Sequence, residues 1–149
     1  MRYHYTECGL DYVFIEGGVE THATPYGEGI SIADVEGLHR AIGTAIVSRP
    51  QPLRGAELRF LRSNMDITQA RLADMLGSTE QSVRLWEKSR DKPLGGPVDR
   101  LLRMIYMEHT GRRLSVRRVV EVVTRDPVTT AVDLRTNGRT WEPTSAVAA

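Results

Sequence analysis

The stretch of residues 67–88 constrains the fold of this chain more than any other part of the sequence. Apolar residues recur at helical spacing after Thr68, whose hydroxyl can cap the first turn of a helix. Gly77 follows them, and glycine adopts the left-handed conformation that ends many helices at little cost. A short helix and a sharp turn are therefore predicted. The apolar stripe of this helix contains Ala70, Leu72, Ala73, Met75 and Leu76.

A second short helix is predicted directly after the turn. Ser78 and Thr79 are both suited to cap its N-terminus. Val83 and Trp86, three residues apart, define its inward face. Two helices joined in this way, with polar groups on the outer face of the second, fit the major groove of DNA. The predicted outward side chains are Glu80, Gln81, Ser82 and Arg84.

These four outward side chains are the predicted base-contacting residues. Gln81 can form two hydrogen bonds with adenine, and Arg84 can form two with guanine or bind a phosphate. Glu80 can accept a hydrogen bond from the amino group of cytosine, or it can orient Arg84. Ser82 completes the set that we expect to discriminate between bases.

The predicted phosphate contacts surround the same two helices. Gln69 lies at the start of the first helix, where its amide can donate to a phosphate and set the docking angle. Thr68 and Thr79, at the two helix starts, belong to the same set. For the basic residues the alternative is an ordinary solvated surface, which we expect for about half of them. The basic candidates are Arg54, Arg59, Arg62, Lys88, Arg90 and Lys92.

Three motifs give residues 58–88 a family resemblance. They are Thr68-Gln69-Ala70, Leu76-Gly77 and Trp86-Glu87-Lys88. Each stands where the Cro/phage-repressor (XRE) family of helix-turn-helix proteins has a similar motif, and the resemblance covers residues 54–109. It implies a DNA-binding regulator. Two positions depart from the family pattern. Ser89 replaces a frequent glycine, which weakens the prediction of the loop after the second helix, and Glu80 replaces a common glutamine, which leaves the base preference open.

Charge is unevenly distributed, although the formal net charge is only +1. Residues 1–53 contain 3 basic and 7 acidic side chains, whereas residues 54–113 contain 12 basic and 8 acidic. The positive charge therefore lies on the segment that holds the predicted helix-turn-helix, as phosphate neutralisation requires. The acidic first segment is better suited to protein contact or regulation.

The sequence favours neither catalysis nor metal binding. Cys8 is the single cysteine, which excludes an intrachain disulfide and a multi-cysteine zinc site. Cys8, His4 and His22 match no structural zinc spacing. The sequence contains no clustered carboxylates, phosphate-binding loop or nucleophile motif. We therefore expect no enzyme activity, no catalytic residues, no metal and no cofactor.

The sequence predicts a cytoplasmic protein that makes no membrane contact. No apolar run approaches the length that spans a membrane. Residues 1–8 lack the apolar core of a secretion signal.

The predicted fold class is α+β, in three consecutive parts. Residues 1–52 form a small β-rich unit with one helix, residues 53–112 the helix-turn-helix domain, and residues 113–149 an extension with a β-hairpin. In the first part, residues 19–22 are expected to pair as a hairpin with the preceding strand, and Asp34 caps the helix. The expected elements there are strands at 3–6, 11–15 and 30–32, a loop at 25–29 and a helix over 34–47.

Three features after the helix-turn-helix carry further predictions. Leu102, Tyr106 and Met107 suit either a dimer contact or ordinary core packing. Thr136-Asn137-Gly138 predicts a two-residue hairpin turn, and Trp141 then requires burial against the N-terminal strands or a second subunit. The repeated valines that fit either a helix or a strand are Val116, Val119, Val120 and Val123.

The leading functional interpretation is a sequence-specific transcription regulator that binds double-stranded DNA as a homodimer. Two recognition helices about 34 Å apart would contact a pseudo-palindromic operator. The layout also resembles MqsA-type antitoxins, although the zinc-binding cysteines of that family are absent. The alternative is therefore an antitoxin that neutralises a toxin partner through residues 1–53 and autoregulates its operon. A helical bundle used only for protein contact is the remaining interpretation.

Overall fold

The computed structural model describes residues 1–113, 115–127 and 131–144, and within these residues the fold is α+β. The chain divides into two compact units, the first formed by Met1–Ile42 with residues 131–144 and the second by residues 43–127. Six strands and six helices are described: β1 (Arg2–His4), β2 (Val13–Glu16), β3 (Val19–Thr24), β4 (Gly27–Ile32), α1 (Val35–Val47), α2 (Gly55–Asn64), α3 (Gln69–Leu76), α4 (Glu80–Lys88), α5 (Gly96–His109), α6 (Val116–Val123), β5 (Val132–Thr136) and β6 (Trp141–Pro143).

The first unit contains a four-stranded sheet in the order β1-β2-β5-β6. β2 and β5 are parallel, with Val13 opposite Val132 and Ile15 opposite Leu134, whereas the two outer pairs are antiparallel. These four central side chains are buried. The C-terminal hairpin, predicted as part of an extension over residues 113–149, is thus part of this sheet. The predicted hairpin is present, but residues 137–140 separate the paired Thr136 and Trp141, so its loop has four residues and not the predicted two.

The strand pairing predicted for residues 19–22 was wrong. β3 pairs with β4 and not with β2, from Val19 opposite Ile32 to Thr24 opposite Gly27. The loop is therefore only Pro25-Tyr26, and residues 27–29, predicted as loop, belong to a strand. Gly17 and Gly18, both with positive φ, separate β2 from β3, so the chain leaves the first sheet instead of folding back along it.

Trp141 is buried within the first unit, as expected from its size. Its indole Nε1–H donates to the backbone carbonyls of Ala33 and Asp34, at 3.3 and 3.2 Å. Asp34 also accepts the backbone N–H of Gly37 at 3.1 Å and so caps α1, which confirms that prediction.

A tyrosine and a histidine meet inside the same unit. The Tyr5 hydroxyl lies 2.7 Å from Nε2 of His39. Burial raises the pKa of Tyr5 to about 12 and lowers the pKa of His39 below its ordinary value. The imidazole of His39 is therefore neutral at neutral pH, and its Nε2 shares a hydrogen bond with the Tyr5 hydroxyl.

A buried ion pair organises the second unit. Arg103 is fully buried, and its Nε donates to Asp99 Oδ1 at 2.6 Å. Nη1 donates to the backbone carbonyls of Val47 and Arg49, and Nη2 donates to that of Gln51. This network fixes the segment between α1 and α2 against α5.

Two of the three α5 residues predicted to suit either a dimer contact or the core lie in the core, whereas Met107 is half-buried. Leu102 and Tyr106 are fully buried, and the Tyr106 hydroxyl donates to Asn64 Oδ1 at 2.6 Å. A Cβ at Gly43 would overlap the Tyr106 ring, so glycine at that position leaves room for the tyrosine. Residues 116–123 form a helix, which settles the open choice between helix and strand. None of the described helices has the length and apolar character needed to cross a membrane.

Candidate nucleic-acid interface

The first helix of the candidate interface is α3, and its ends are set by local chemistry. Thr68 Oγ1 accepts the backbone N–H of Arg71 at 3.0 Å, which is the predicted N-cap. Gly77 ends α3 in the left-handed conformation, with φ of 68°. Leu72, Ala73 and Leu76 face the core as predicted, but Ala70 is exposed, so the buried stripe is narrower than expected.

The second helix, α4, begins after a three-residue connection. Thr79 is the N-cap, since its Oγ1 accepts the backbone N–H of Ser82 at 3.1 Å. Val83 is fully buried, whereas Trp86 is only half-buried. Val83 thus anchors α4, and the residues on the opposite side of the helix face solvent.

Three of the four predicted base-contacting residues are exposed on α4, namely Glu80, Gln81 and Arg84. Glu80 Oε1 lies 3.3 Å from Arg84 Nη2, one helical turn away, so the carboxylate orients the guanidinium. This geometry matches one of the two roles predicted for Glu80. Ser82 differs from the other three, because it is half-buried and its hydroxyl accepts a hydrogen bond from Thr79 at 2.9 Å.

A buried carboxylate lies directly behind this surface. Glu87 accepts two hydrogen bonds from Arg62, at 2.6 and 2.9 Å, and a third from the Gln69 amide at 3.2 Å. Arg62 also donates to the carbonyl of Ile67 at 3.0 Å. Sequence reasoning did not find this role for Arg62 and Gln69, since neither residue is close to Glu87 along the chain.

Arg62 and Gln69 thus have defined contacts inside the protein. The Arg62 side chain is 18% exposed, and its three donating nitrogens are all used by Glu87 and Ile67. Their phosphate contacts remain predictions, with Arg62 better placed to hold α2, the start of α3 and α4 together.

The predicted residues from three helices meet at one open depression. Arg59 comes from α2, and Arg84 and Lys88 from α4, so positive side chains border it on two sides. Glu80 contributes the only carboxylate of the lining besides the buried Glu87. The full lining is Arg59, Arg62, Thr68, Gln69, Glu80, Arg84, Glu87 and Lys88.

The basic residues outside this depression divide into two groups. Arg90 and Lys92 are exposed in the loop after α4. Arg54 is instead held by Glu57, whose carboxylate accepts from its Nε and Nη2 at 3.0 and 3.1 Å. Arg54 thus serves the N-terminus of α2, and its side chain is a weaker candidate for a phosphate contact.

One exposed residue of α4 was missed by the sequence analysis. Leu85 is 54% exposed and lies one helical turn after Gln81, on the same side of the helix. An exposed leucine there can make an apolar contact with the methyl group of thymine. The signal was present in the sequence, because the inward spacing of Val83 and Trp86 already excludes Leu85 from the core side.

Comparisons with protein-family models, with curated protein sequences and with solved structures find no match for this chain. The resemblance of residues 58–88 therefore rests on their motifs. Among the described residues, no group of three or more histidine, cysteine or acidic side chains is arranged to hold a metal ion.

Proposed function

We propose that this chain is a sequence-specific transcription regulator of the XRE type, which acts in the cytoplasm and binds double-stranded DNA as a homodimer. The observation that carries the proposal is the outer face of α4. It exposes Gln81, Arg84 and Leu85 beside the basic side chains Arg59 and Lys88. A helix with hydrogen-bonding and apolar groups at its centre and cations at its margin is suited to the major groove.

Rigidity of the helix pair supports the proposal. Thr68 and Thr79 cap the two helices, and Glu87 ties α4 to Arg62 of α2. A recognition surface held in this way loses little conformational entropy on binding, since its backbone and several side chains are already ordered.

The proposed mechanism is binding alone, with roles divided between phosphate and base contacts. Arg59, Lys88, Arg90 and Lys92 neutralise phosphates, while Thr68, Gln69 and Thr79 set the register on the backbone. Gln81, Arg84 and Leu85 discriminate bases, and Glu80 orients Arg84. The Ser82 hydroxyl accepts a hydrogen bond from Thr79, so its own hydrogen can still be donated to a base.

The experiment is a fluorescence anisotropy titration of the full chain with a labelled duplex that carries DNA upstream of its own gene. A scrambled duplex is titrated in parallel, and both are measured at two salt concentrations. We expect tight, salt-sensitive binding with a clear preference for the native duplex. Weak binding without sequence preference would overturn the proposal and favour a protein-contact role for the helices.

A variant separates base contacts from phosphate contacts. Arg84→Ala is expected to cost roughly 1–3 kcal/mol at the preferred site and little on scrambled DNA. If both duplexes lost the same binding free energy, Arg84 would contact a phosphate and not a base. Arg139→Ala, which removes an exposed arginine in the turn between β5 and β6, is the matched control and should change neither affinity.

A further inference from the structure

Helix α6 leaves part of an apolar face uncovered. Ser115 caps the helix by accepting the backbone N–H of Arg118 at 3.2 Å. Val119 and Val122 are buried, but Val116 and Val120 are 59% and 43% exposed. The two exposed valines are one helical turn apart, so they form a continuous strip on one side of α6.

Charged residues flank this strip on one side only. Successive residues of a helix are rotated by about 100°, so Arg117 and Glu121 lie on the same flank, one turn apart. Both are exposed. The other flank is formed by Val119, which is buried, and Val123, which is half-buried. An apolar strip with a cation and an anion along a single edge can be complementary to a second copy of itself.

The geometry points to a two-fold dimer in which α6 packs antiparallel against α6 of a second copy of this chain. In an antiparallel pair, equivalent flanks of the two helices face each other. Arg117 then faces Glu121 of the partner subunit. The two-fold symmetry also places Glu121 opposite Arg117 of the partner subunit. In a parallel pair the charged flank would face the side that is already buried. The charges therefore select the antiparallel arrangement.

The interface is small, and this sets its expected strength. A standard interface covers about 800 Å² on each partner, which exceeds what eight helical residues can supply. The dimer is therefore weak in free solution and becomes dominant when two half-sites on one duplex bring two copies together. The inference deepens the proposed function, which requires a dimer, by assigning its contact surface.

Sedimentation equilibrium of the full chain without DNA tests the surface. We expect a reversible dimer with a dissociation constant on the order of micromolar to tens of micromolar. The double variant Val116→Lys, Val120→Lys should weaken it at least about tenfold. The control is Val35→Lys, since Val35 is also an exposed valine at the first position of a helix, and it should leave the dimer unchanged. A wild-type chain that stays monomeric to ~100 μM, or a double variant equal to wild type, would overturn the inference.

A mixing experiment tests the antiparallel pairing and does not depend on the fold of one variant. Arg117→Glu places two like charges opposite each other, and so does Glu121→Arg, so each variant alone should lose the dimer. Mixed in equal amounts, the two variants present opposite charges across the interface and should form a heterodimer. If Arg117 and Glu121 interacted only within one helix, mixing the two variants would not restore association. Failure of the mixture to associate would therefore exclude this arrangement.

The dimer and the proposed function can fail separately. Binding of the Val116, Val120 double variant to a single half-site should equal that of wild type, while its binding to the palindrome should lose cooperativity. Absence of any half-site binding by wild type would count against DNA recognition and leave the dimer result standing.

Discussion

Arg62 and Glu87 face each other as a bidentate ion pair, with Nε and Nη2 of the arginine 2.6 and 2.9 Å from the two carboxylate oxygens. The pair joins α2 to α4, and the Gln69 amide brings the start of α3 to the same carboxylate. The side chain of Glu87 is 6% exposed. One acidic group thus fixes the relative placement of three helices directly behind the candidate DNA-binding face.

Glu87→Gln should destabilise the second unit markedly. The substitution leaves the guanidinium of Arg62 largely desolvated without its counter-charge, so we expect a loss of about 2–4 kcal/mol in the free energy of unfolding. Urea denaturation measures it. Glu108→Gln, at an exposed position of α5, is the control and should change stability by less than about 0.5 kcal/mol. A loss no larger than that of the control would show that the pair contributes little.

Gly55→Ala is expected to disrupt the contact between α2 and the end of α4. A Cβ at this position would overlap the backbone carbonyl oxygen of Trp86, and a backbone atom cannot rotate away as a side chain can. We expect a loss of about 1–3 kcal/mol, measured by thermal and urea denaturation. At Gly96 the added methyl meets only the end of the Arg100 side chain, so Gly96→Ala should be neutral or stabilising. Similar results for the two variants would contradict the argument.

The first unit should lose stability as the pH falls below about 6.5 because of His39. Burial lowers the pKa of His39 in the folded state, so the unfolded chain takes up the proton first. The stabilisation is complete above the unfolded pKa and is lost as the pH falls through the folded pKa. Urea titrations at pH 8 and pH 5 should show a larger decrease for wild type than for His39→Gln. An equal decrease in both proteins would remove His39 as the cause.

Leu85→Ala should remove discrimination between thymine and uracil at one operator position, if α4 binds DNA as proposed. Loss of the contact between Leu85 and one thymine methyl is worth about 1 kcal/mol. Duplexes in which single thymines are replaced by deoxyuridine should therefore bind wild type more weakly at one position per half-site. The same replacement should leave binding of the variant unchanged. A wild-type chain indifferent to every replacement would exclude this contact.

Local signals predicted the helix boundaries of the candidate interface well. Thr68 and Thr79 cap the two helices, and Gly77 ends the first in the left-handed conformation, as their residue types indicate. Caps and turns depend on a few neighbouring atoms, which is why the sequence is informative about them. The inward spacing of Val83 and Trp86 likewise predicted which side chains of α4 face outward. Two residues were not predicted correctly: Leu85 is exposed but was not identified, and Ser82 is half-buried.

Interactions between distant residues could not be predicted in this way. The parallel pairing of Val13 with Val132 depends on the whole intervening chain, and no local pattern encodes it. Arg103, Asp99 and Glu87 are of residue types that usually lie at the surface, yet all three are buried. Ion pairs and hydrogen bonds with other groups of the protein offset the cost of removing their charges from water. Composition alone cannot distinguish such groups from solvated ones.

The adjacency of β2 and β5 has a consequence for how the protein is made. The ribosome releases β2 early, but its parallel neighbour emerges only after the whole of residues 43–130 has been synthesised. The helices, whose contacts are closer in sequence, are then free to fold first, while one edge of β2 stays open. During that interval β2 presents backbone donors and acceptors to any other extended chain. Slow translation of residues 43–130 would lengthen this exposure and should raise the fraction of newly made protein that aggregates.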